Sequence, residues 1–409
     1  MQQAPEVDLP FSTDTVDPCC ATLPTLTRLL GDLTPDQFRQ IYYGRSPLLL
    51  RGHVAWAREI FTWSDLNHLL NTSVIPHSTM RLSRKGAPSV EVSDALSVIE
   101  ACRQGSSLVI NTIHLFSQSI GRFSRALERD LGEPINVNMY LSSADNPAFA
   151  CHYDCHDIML LQLEGHKRWK VFEPTIQSPL FDMKHHGVQA PSEPILDVTL
   201  APGDFLYVPR GFWHEVVAVG GLSLHLTVGI DAHTGIDFLR WLADEFRDEL
   251  LFRQTLPLIY DGESESKALA ARQQHVLKLR DAIMAKLSEP STLRAYRTHF
   301  VATRKDPEQF KFPSHLEDRP ASSRQVRNFR RPMYQLAELS EGQGSISITC
   351  LGRVLSFPLP ARPVLEAVIA RDRVSLEELQ AVANGLTEPA IWAILDSLCR
   401  EGILEGYDS

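Results

Sequence analysis

The sequence predicts an α+β protein: an antiparallel double-stranded β-helix of the jelly-roll kind, then a helical domain, then a C-terminal winged-helix-like domain. Three features of the 409-residue chain predict this order. Short strand-like runs separated by Gly and Pro turns crowd the stretch from Asn136 to His214, the pattern of a double-sheet jelly roll. Apolar residues at helical spacing follow it. From Ser345 onward, two strand-like runs precede three helix-like ones. The expected boundaries are a leader over 1–20, the β domain over 21–235, the helical domain over 236–315 and the winged-helix-like domain over 332–409.

The elements follow in order. Thr34-Pro35-Asp36 opens a helix through Ile41, with Pro at an early position. Residues 61–70 and 93–103 form further helices, and the barrel strands begin near Asn136. The apolar run Ile158-Met159-Leu160-Leu161-Gln162-Leu163 is a buried strand, Glu164-Gly165 a turn, and Arg168–Phe172 a second strand. Leu196–Leu200 and Phe205–Val208 are strands joined by a Pro202-Gly203-Asp204 turn, the second ending at Pro209. Ile236, Leu239, Leu242, Phe246 and Leu250 then recur at helical spacing, and Leu269, Val276, Ile283 and Leu287 stripe another helix. Such stripes ordinarily pack within the chain. Residues 319–331 carry five arginines and no acid and predict a linker, with a lesser claim to an anionic partner. Strands at Ser345–Thr349 and Val354–Phe357 and helices near 362–370, 375–383 and 388–400 complete the chain.

Composition excludes several classes. Hydrophobic residues at 44% and charged residues at 22% describe an ordinary globular protein. The start, Met1 to Asp8, lacks the cationic and apolar segments of a signal peptide. No apolar stretch approaches the ~18–20 residues that span a bilayer. The expectation is a cytoplasmic protein with no membrane partner. Seven scattered cysteines argue against a disulfide framework. Cys151 and Cys155 suggest zinc only weakly, because no second Cys or His pair accompanies them. They are expected to be small apolar packers.

The chemistry concentrates in Cys151-His152-Tyr153-Asp154 and Pro209-Arg210-Gly211-Phe212-Trp213-His214. Two histidines and one carboxylate in the order His-x-Asp…His fit one face of an octahedral Fe(II) and leave positions open. Residues two apart on a strand share a face, so His152 and Asp154 aim into a lumen while Tyr153 points away. A lone His-x-Asp arises readily by chance. The strand and turn context around this one raises its weight.

The stretch from Asn136 to Gly229 resembles the Jumonji-C-type cupin oxygenases, and within them the ribosomal oxygenases. The matching phrases are Asn136-Val137-Asn138-Met139-Tyr140, His152-Tyr153-Asp154, Leu160 through Trp169, Gly203 through Gly211, and Ser223-Leu224-His225-Leu226-Thr227. Weaker similarity begins near Leu33–Phe38 and Ser46–Leu50. The resemblance implies a catalytic cupin domain in which His152, Asp154 and His214 bind Fe(II) and 2-oxoglutarate is co-substrate. Lys167 matches the family's basic residue for the far carboxylate, although beside Gly165-His166 it also fits a solvated turn lysine. Asn138, Tyr140 and Thr227 match positions that line the co-substrate pocket. Relatives often carry a serine shortly after the Thr227 position. This chain has Gly229, so one hydrogen bond is expected to be missing or replaced by water. The helical segment matches a dimerisation insert, which implies a homodimer.

By resemblance the substrate is an Arg or His side chain of a ribosomal protein or another peptide, with a natural-product precursor peptide as the alternative. The net charge of −10 suits a basic protein partner. A different class of reading is a non-enzymatic metal- or ligand-sensing cupin with a winged-helix interaction module. Nucleic acid is disfavoured. Residues 361–409 hold four arginines and no lysine against nine acids, a net of −5, whereas DNA affinity rests on cations neutralising phosphates. The helix Glu388–Leu398 also offers neither Arg nor Asn for base edges.

Overall fold

The computed structural model describes residues 25–407 apart from 73–74, 85–89, 93, 144–146, 184–187, 259–264, 304–325, 332–336, 351–352 and 372. The leader and most of the arginine-rich stretch lie outside the described residues. Two compact units divide the chain, Met1–Ala232 and His233–Ser409.

The first unit is built on one antiparallel sheet of nine strands. They are β1 (Leu48–Leu50), β2 (Met80–Ser83), β3 (Val90–Glu91), β4 (Ser107–Ile110), β5 (Ile135–Ser142), β6 (Asp157–Phe172), β7 (Leu196–Leu200), β8 (Phe205–Val208) and β9 (Trp213–Ile230). The order is β1-β8-β6-β9-β5-β4-β2-β3, with β7 also paired to β6. Helices α1 (Thr25–Leu30), α2 (Pro35–Gln37), α3 (Trp63–Thr72), α4 (Ala95–Arg103) and α5 (Gln118–Leu131) accompany it. Thr34 caps α2 through a capping box with Gln37, satisfying orphan donors at the helix start. Strands β1 to β4 were not expected from the sequence. They have two to four residues each, too few for an alternation to register.

The apolar run in β6 has a two-sided explanation. Met159 and Leu161 enter the main core with Val137, Met139, Leu226, Val228, Leu29 and Leu127. Ile158 and Leu160 enter a second cluster with Trp169, Val171, Leu206 and Phe212. A strand buried on both faces shows no alternation.

The expected turn at Glu164-Gly165 is a bulge instead. β6 continues through it, with register shifts against β9 between Gln162 and Glu164 and between Glu164 and His166. Gly165 is the residue that permits it. Its φ is +64°, and a Cβ there would lie 1.9 Å from the carbonyl oxygen of Leu222, so only glycine fits. The Gln162 amide staples the distortion by donating to the carbonyls of Glu164 and Gly165 and to Ser223 Oγ. The Pro202-Gly203-Asp204 turn is held by the Asp204 carboxylate, which accepts from the N–H groups of Ala201 and Gly52 and from Arg51.

The second unit begins with α6 (Gly235–Glu245), α7 (Leu250–Arg253), α8 (Glu265–Ser288) and α9 (Ser291–Thr303). Trp241, Leu242 and Phe246 form a small buried cluster with Phe238, Phe252 and Ile283 against them. It continues with β10 (Asn328–Arg330), β11 (Ala337–Glu341), β12 (Ser345–Cys350), β13 (Arg353–Pro358), α10 (Arg362–Ala370), β14 (Arg373–Ser375), α11 (Leu376–Val382), α12 (Glu388–Arg400) and β15 (Glu405–Tyr407). The end of the expected linker is therefore a strand. β10 pairs with β14 and β15, and Phe329 is fully buried in the same core as Leu365 and Leu395. The arginines around it had masked that one apolar residue. No helix among the described residues is long and apolar enough to cross a membrane.

Candidate functional site

His152 and Asp154 do not lie in a regular strand. The chain from Cys151 to His156 runs irregularly, and His152 forms an isolated bridge with His214 at the start of β9. Each backbone N–H of this pair donates to the other's carbonyl, at 3.1 and 2.7 Å. Gly211 N–H donates to the Asp154 carbonyl at 2.9 Å, so the segment after β8 holds both ligand-bearing stretches together. Tyr153 does point away. It is buried with Phe172 and Trp213, and its hydroxyl donates to the Met183 carbonyl.

His152, Asp154 and His214 converge, each offering one ligand atom, all within 4.8 Å of one another. His214 Nε2 lies 3.7 Å from Asp154 Oδ2. His152 Nδ1 donates to the Ala150 carbonyl at 2.8 Å and His214 Nδ1 to that of Phe212 at 3.2 Å. Each ring thereby carries its proton on Nδ1 and its lone pair on Nε2, the outer-shell arrangement that fixes a metal-ligating tautomer. Burial, and then the neighbouring His152, hold the pKa of His214 down to about 4. Its imidazole is neutral at neutral pH. Two imidazoles and one carboxylate are a donor set that fits a divalent iron.

The three residues open onto a cavity of about 360 Å³. Tyr140, Lys167 and Thr227 line it. Asn138 is not among its lining residues, and its Oδ1 accepts from the Thr112 N–H at 3.0 Å. Lys167 is buried, with 3% of its surface exposed, which removes the solvated-turn alternative. Its ammonium donates to Ser142 Oγ at 2.9 Å and to His225 Nδ1 at 3.2 Å. Burial lowers its pKa to about 7. His225 falls well below the ordinary imidazole value, from burial first and the Lys167 charge second, so its Nδ1 is free to accept. The Tyr140 ring stacks on His225 with centroids 4.9 Å apart. Burial and then the Asp154 carboxylate push the Tyr140 hydroxyl up to about 12. Trp169 stands between the two ends, 5.6 Å from the His214 ring and 6.1 Å from that of His225.

Four further cavity residues carried no role in the sequence reading. His225 was findable, since it lies two residues before Thr227 and shares its face. Trp169 sat in the expected second strand without a sign of its facing. Phe149 packs edge-on to His152 at 5.8 Å. Arg81 carries its guanidinium 5.1 Å above the Phe149 ring and buries an Nε with no hydrogen-bond partner. It comes from β2, a strand too short to predict.

Residues 112–238 match the family model described as "JmjC domain". Across 278 residues the chain is 30% identical to "Ribosomal oxygenase 1" of Gallus gallus, covering 61% of this chain and 46% of that protein. The chain spans about half the length of the relatives of this kind that it matches. Among solved structures, E. coli ycfD superposes with a TM-score of 0.62 at 18% identity, covering 92% of this chain and 98% of that one. A structure of the same protein in complex with cobalt and 2-oxoglutarate superposes with a TM-score of 0.58, also at 18% identity. The chain shares its fold with that protein, with the antiparallel sheet and helices in common. The matched domain spans β5 to β9 and holds the whole triad.

Proposed function

We propose that the protein is an Fe(II)- and 2-oxoglutarate-dependent oxygenase that hydroxylates an Arg or His side chain of a ribosomal protein or other peptide. The observation that carries this reading is the buried Lys167 ammonium. It has no carboxylate partner among the described residues, yet it sits in the cavity that the metal triad opens onto. A buried unpaired charge is costly, and the carboxylate of a dicarboxylic acid would relieve it. A cupin that only sensed a metal would have no use for it.

When bound, iron and the keto acid supply the oxidising chemistry. The chain's own residues do the rest. His152, Asp154 and His214 would hold the metal. Lys167 takes the far carboxylate, with Ser142 and His225 fixing the ammonium's position. Trp169, Tyr140 and Phe149 wall the cavity against water, which strengthens these interactions. Mass spectrometry of candidate peptides and lysate proteins incubated with iron, 2-oxoglutarate and ascorbate is expected to show a +16 Da product. Absence of both that product and succinate formation would sink the reading.

The helical segment of the second unit is proposed to hold a homodimer. Leu239, Leu250, Leu256 and Leu293 are 55%, 65%, 44% and 72% exposed, and apolar surface of this kind calls for cover. Light scattering is expected to give twice the 45.9 kDa chain mass. A concentration-independent monomer would refute the dimer and leave the oxygenase reading intact. The C-terminal segment, acidic as it is, is proposed as a winged-helix-like protein-contacting module.

A further inference from the structure

Gly229 stands on an inward row of β9. It lies opposite Asn136 on β5 and Ile158 on β6, and directly opposed residues share a face of the sheet. The next row holds Asn138, Thr227 and Leu160. Ile158 and Thr227 both line the cavity, so a side chain at position 229 would enter it. That volume is already taken. A Cβ on Gly229 would lie 2.9 Å from Cδ2 and 3.0 Å from Nε2 of His156, inside the contact distance of nonbonded atoms. The His156 imidazole fills the space that a side chain at 229 would occupy, and it lines the cavity itself.

His156 is also unused by the protein. Among the described residues, no group hydrogen-bonds its ring nitrogens. His156 follows the ligand Asp154 by two residues and lines the cavity together with His152, Asp154 and His214, which places the ring at the metal end of the cavity. The other end is Lys167, whose ammonium meets His225. His225 and Gly229 are four residues apart on a regularly paired stretch of β9, a rise of about 13 Å at ~3.3 Å per residue. An extended five-carbon dicarboxylate measures about 7 Å between its outermost oxygens, from bonds near 1.5 Å. A charge-assisted hydrogen bond of about 2.8 Å at each end brings its span to about 13 Å. The spacing of the two backbone positions leaves room for such a ligand between the two ends.

We propose that His156 is a co-substrate-binding residue. From the space over Gly229, its ring N–H donates to the metal-side carboxylate of the 2-oxoglutarate whose far carboxylate Lys167 holds. This rests on the reading of the cavity given above. Gly229 and His156 then form one unit, in which the glycine makes room and the imidazole supplies the donor.

The test is 2-oxoglutarate binding to the Mn(II)-loaded full chain, measured by titration calorimetry without turnover. His156→Ala is expected to weaken binding by about tenfold to a hundredfold, the range for losing a hydrogen bond to a charged group, with bound Mn(II) at the wild-type level. His156→Asn, which keeps a donor, should lose less. Gly229→Ala should weaken binding as well. It is expected to fold, because the displaced atoms are the free end of a side chain. Two double variants separate the donor from the filled space. His156→Ala with Gly229→Ser places a hydroxyl in the vacated volume and should recover much of the affinity. His156→Ala with Gly229→Ala fills the volume without a donor and should not. Unchanged affinity in His156→Ala, or equal affinities in the two double variants, overturns the assignment of His156. A wild-type protein that takes no 2-oxoglutarate overturns the reading of the cavity itself.

Discussion

Lys167→Ala raises the apparent 2-oxoglutarate constant by two orders of magnitude or more. Removing the ammonium leaves the far carboxylate buried and unpaired, a loss of about 3–5 kcal/mol for one partner of a buried pair. At ~1.4 kcal/mol per tenfold, that corresponds to at least a hundredfold. Metal binding is expected to survive, because Lys167 is not a ligand. Lys167→Arg should be milder, since the charge remains while its geometry changes.

The same residue sets a pH dependence. In the ligand-free protein, burial lowers the Lys167 pKa to about 7. The groups facing it are His225 on β9, Ser142 and Tyr140 on β5, and none is a carboxylate. Above pH 7 the free lysine is increasingly neutral, whereas pairing with a carboxylate needs the ammonium. Binding therefore takes up a proton, and affinity falls as pH rises through 7 and beyond. Calorimetry in buffers of different ionisation enthalpy measures that uptake directly. No change with pH between 6.5 and 8.5, together with wild-type affinity in Lys167→Ala, would remove the lysine from the site.

Asp154→Ala abolishes turnover. The carboxylate supplies one of three ligand atoms, and its loss leaves two imidazoles whose rings are 4.4 Å apart. Metal content should fall sharply, while the melting curve stays near that of the wild type. The fold's core lies elsewhere, in Val137, Met139, Leu226 and Val228 with the helices against them, so fold and activity separate. Full 2-oxoglutarate consumption by this variant would end the assignment of the triad.

Much of this site was legible in the sequence. The triad was, because its spacing and the turns around it survive translation into three dimensions even though His152 and Asp154 sit on an irregular segment. Their common direction comes from the bridge to His214 rather than from a strand's pleat. Lys167 was legible as a position but not as an environment, since Glu164-Gly165 signals a turn as strongly as a bulge. Arg81 and Phe149 were not legible at all. They reach the cavity from a four-residue strand and a loop, where no periodicity marks which way a side chain faces. Phe329 was hidden for a different reason, as one apolar residue in a run of arginines.

The bulge at Gly165 also decides which charge the cavity contains. On the early part of β6, Ile158, Leu160 and Gln162 stand opposite Gly229, Thr227 and His225. Counting on by twos reaches His166 and Arg168. Yet the residues that line the cavity are Lys167 and Trp169, one step out of phase, opposite Ala218 and Val216. The shifted register absorbs that single step. Without it, Lys167 would turn outward, and the outward Arg168, now paired with Asp197 at 2.7 and 2.6 Å, would turn in. Three basic side chains stand in a row at His166, Lys167 and Arg168. An irregularity of one residue selects the compact ammonium among them for the cavity.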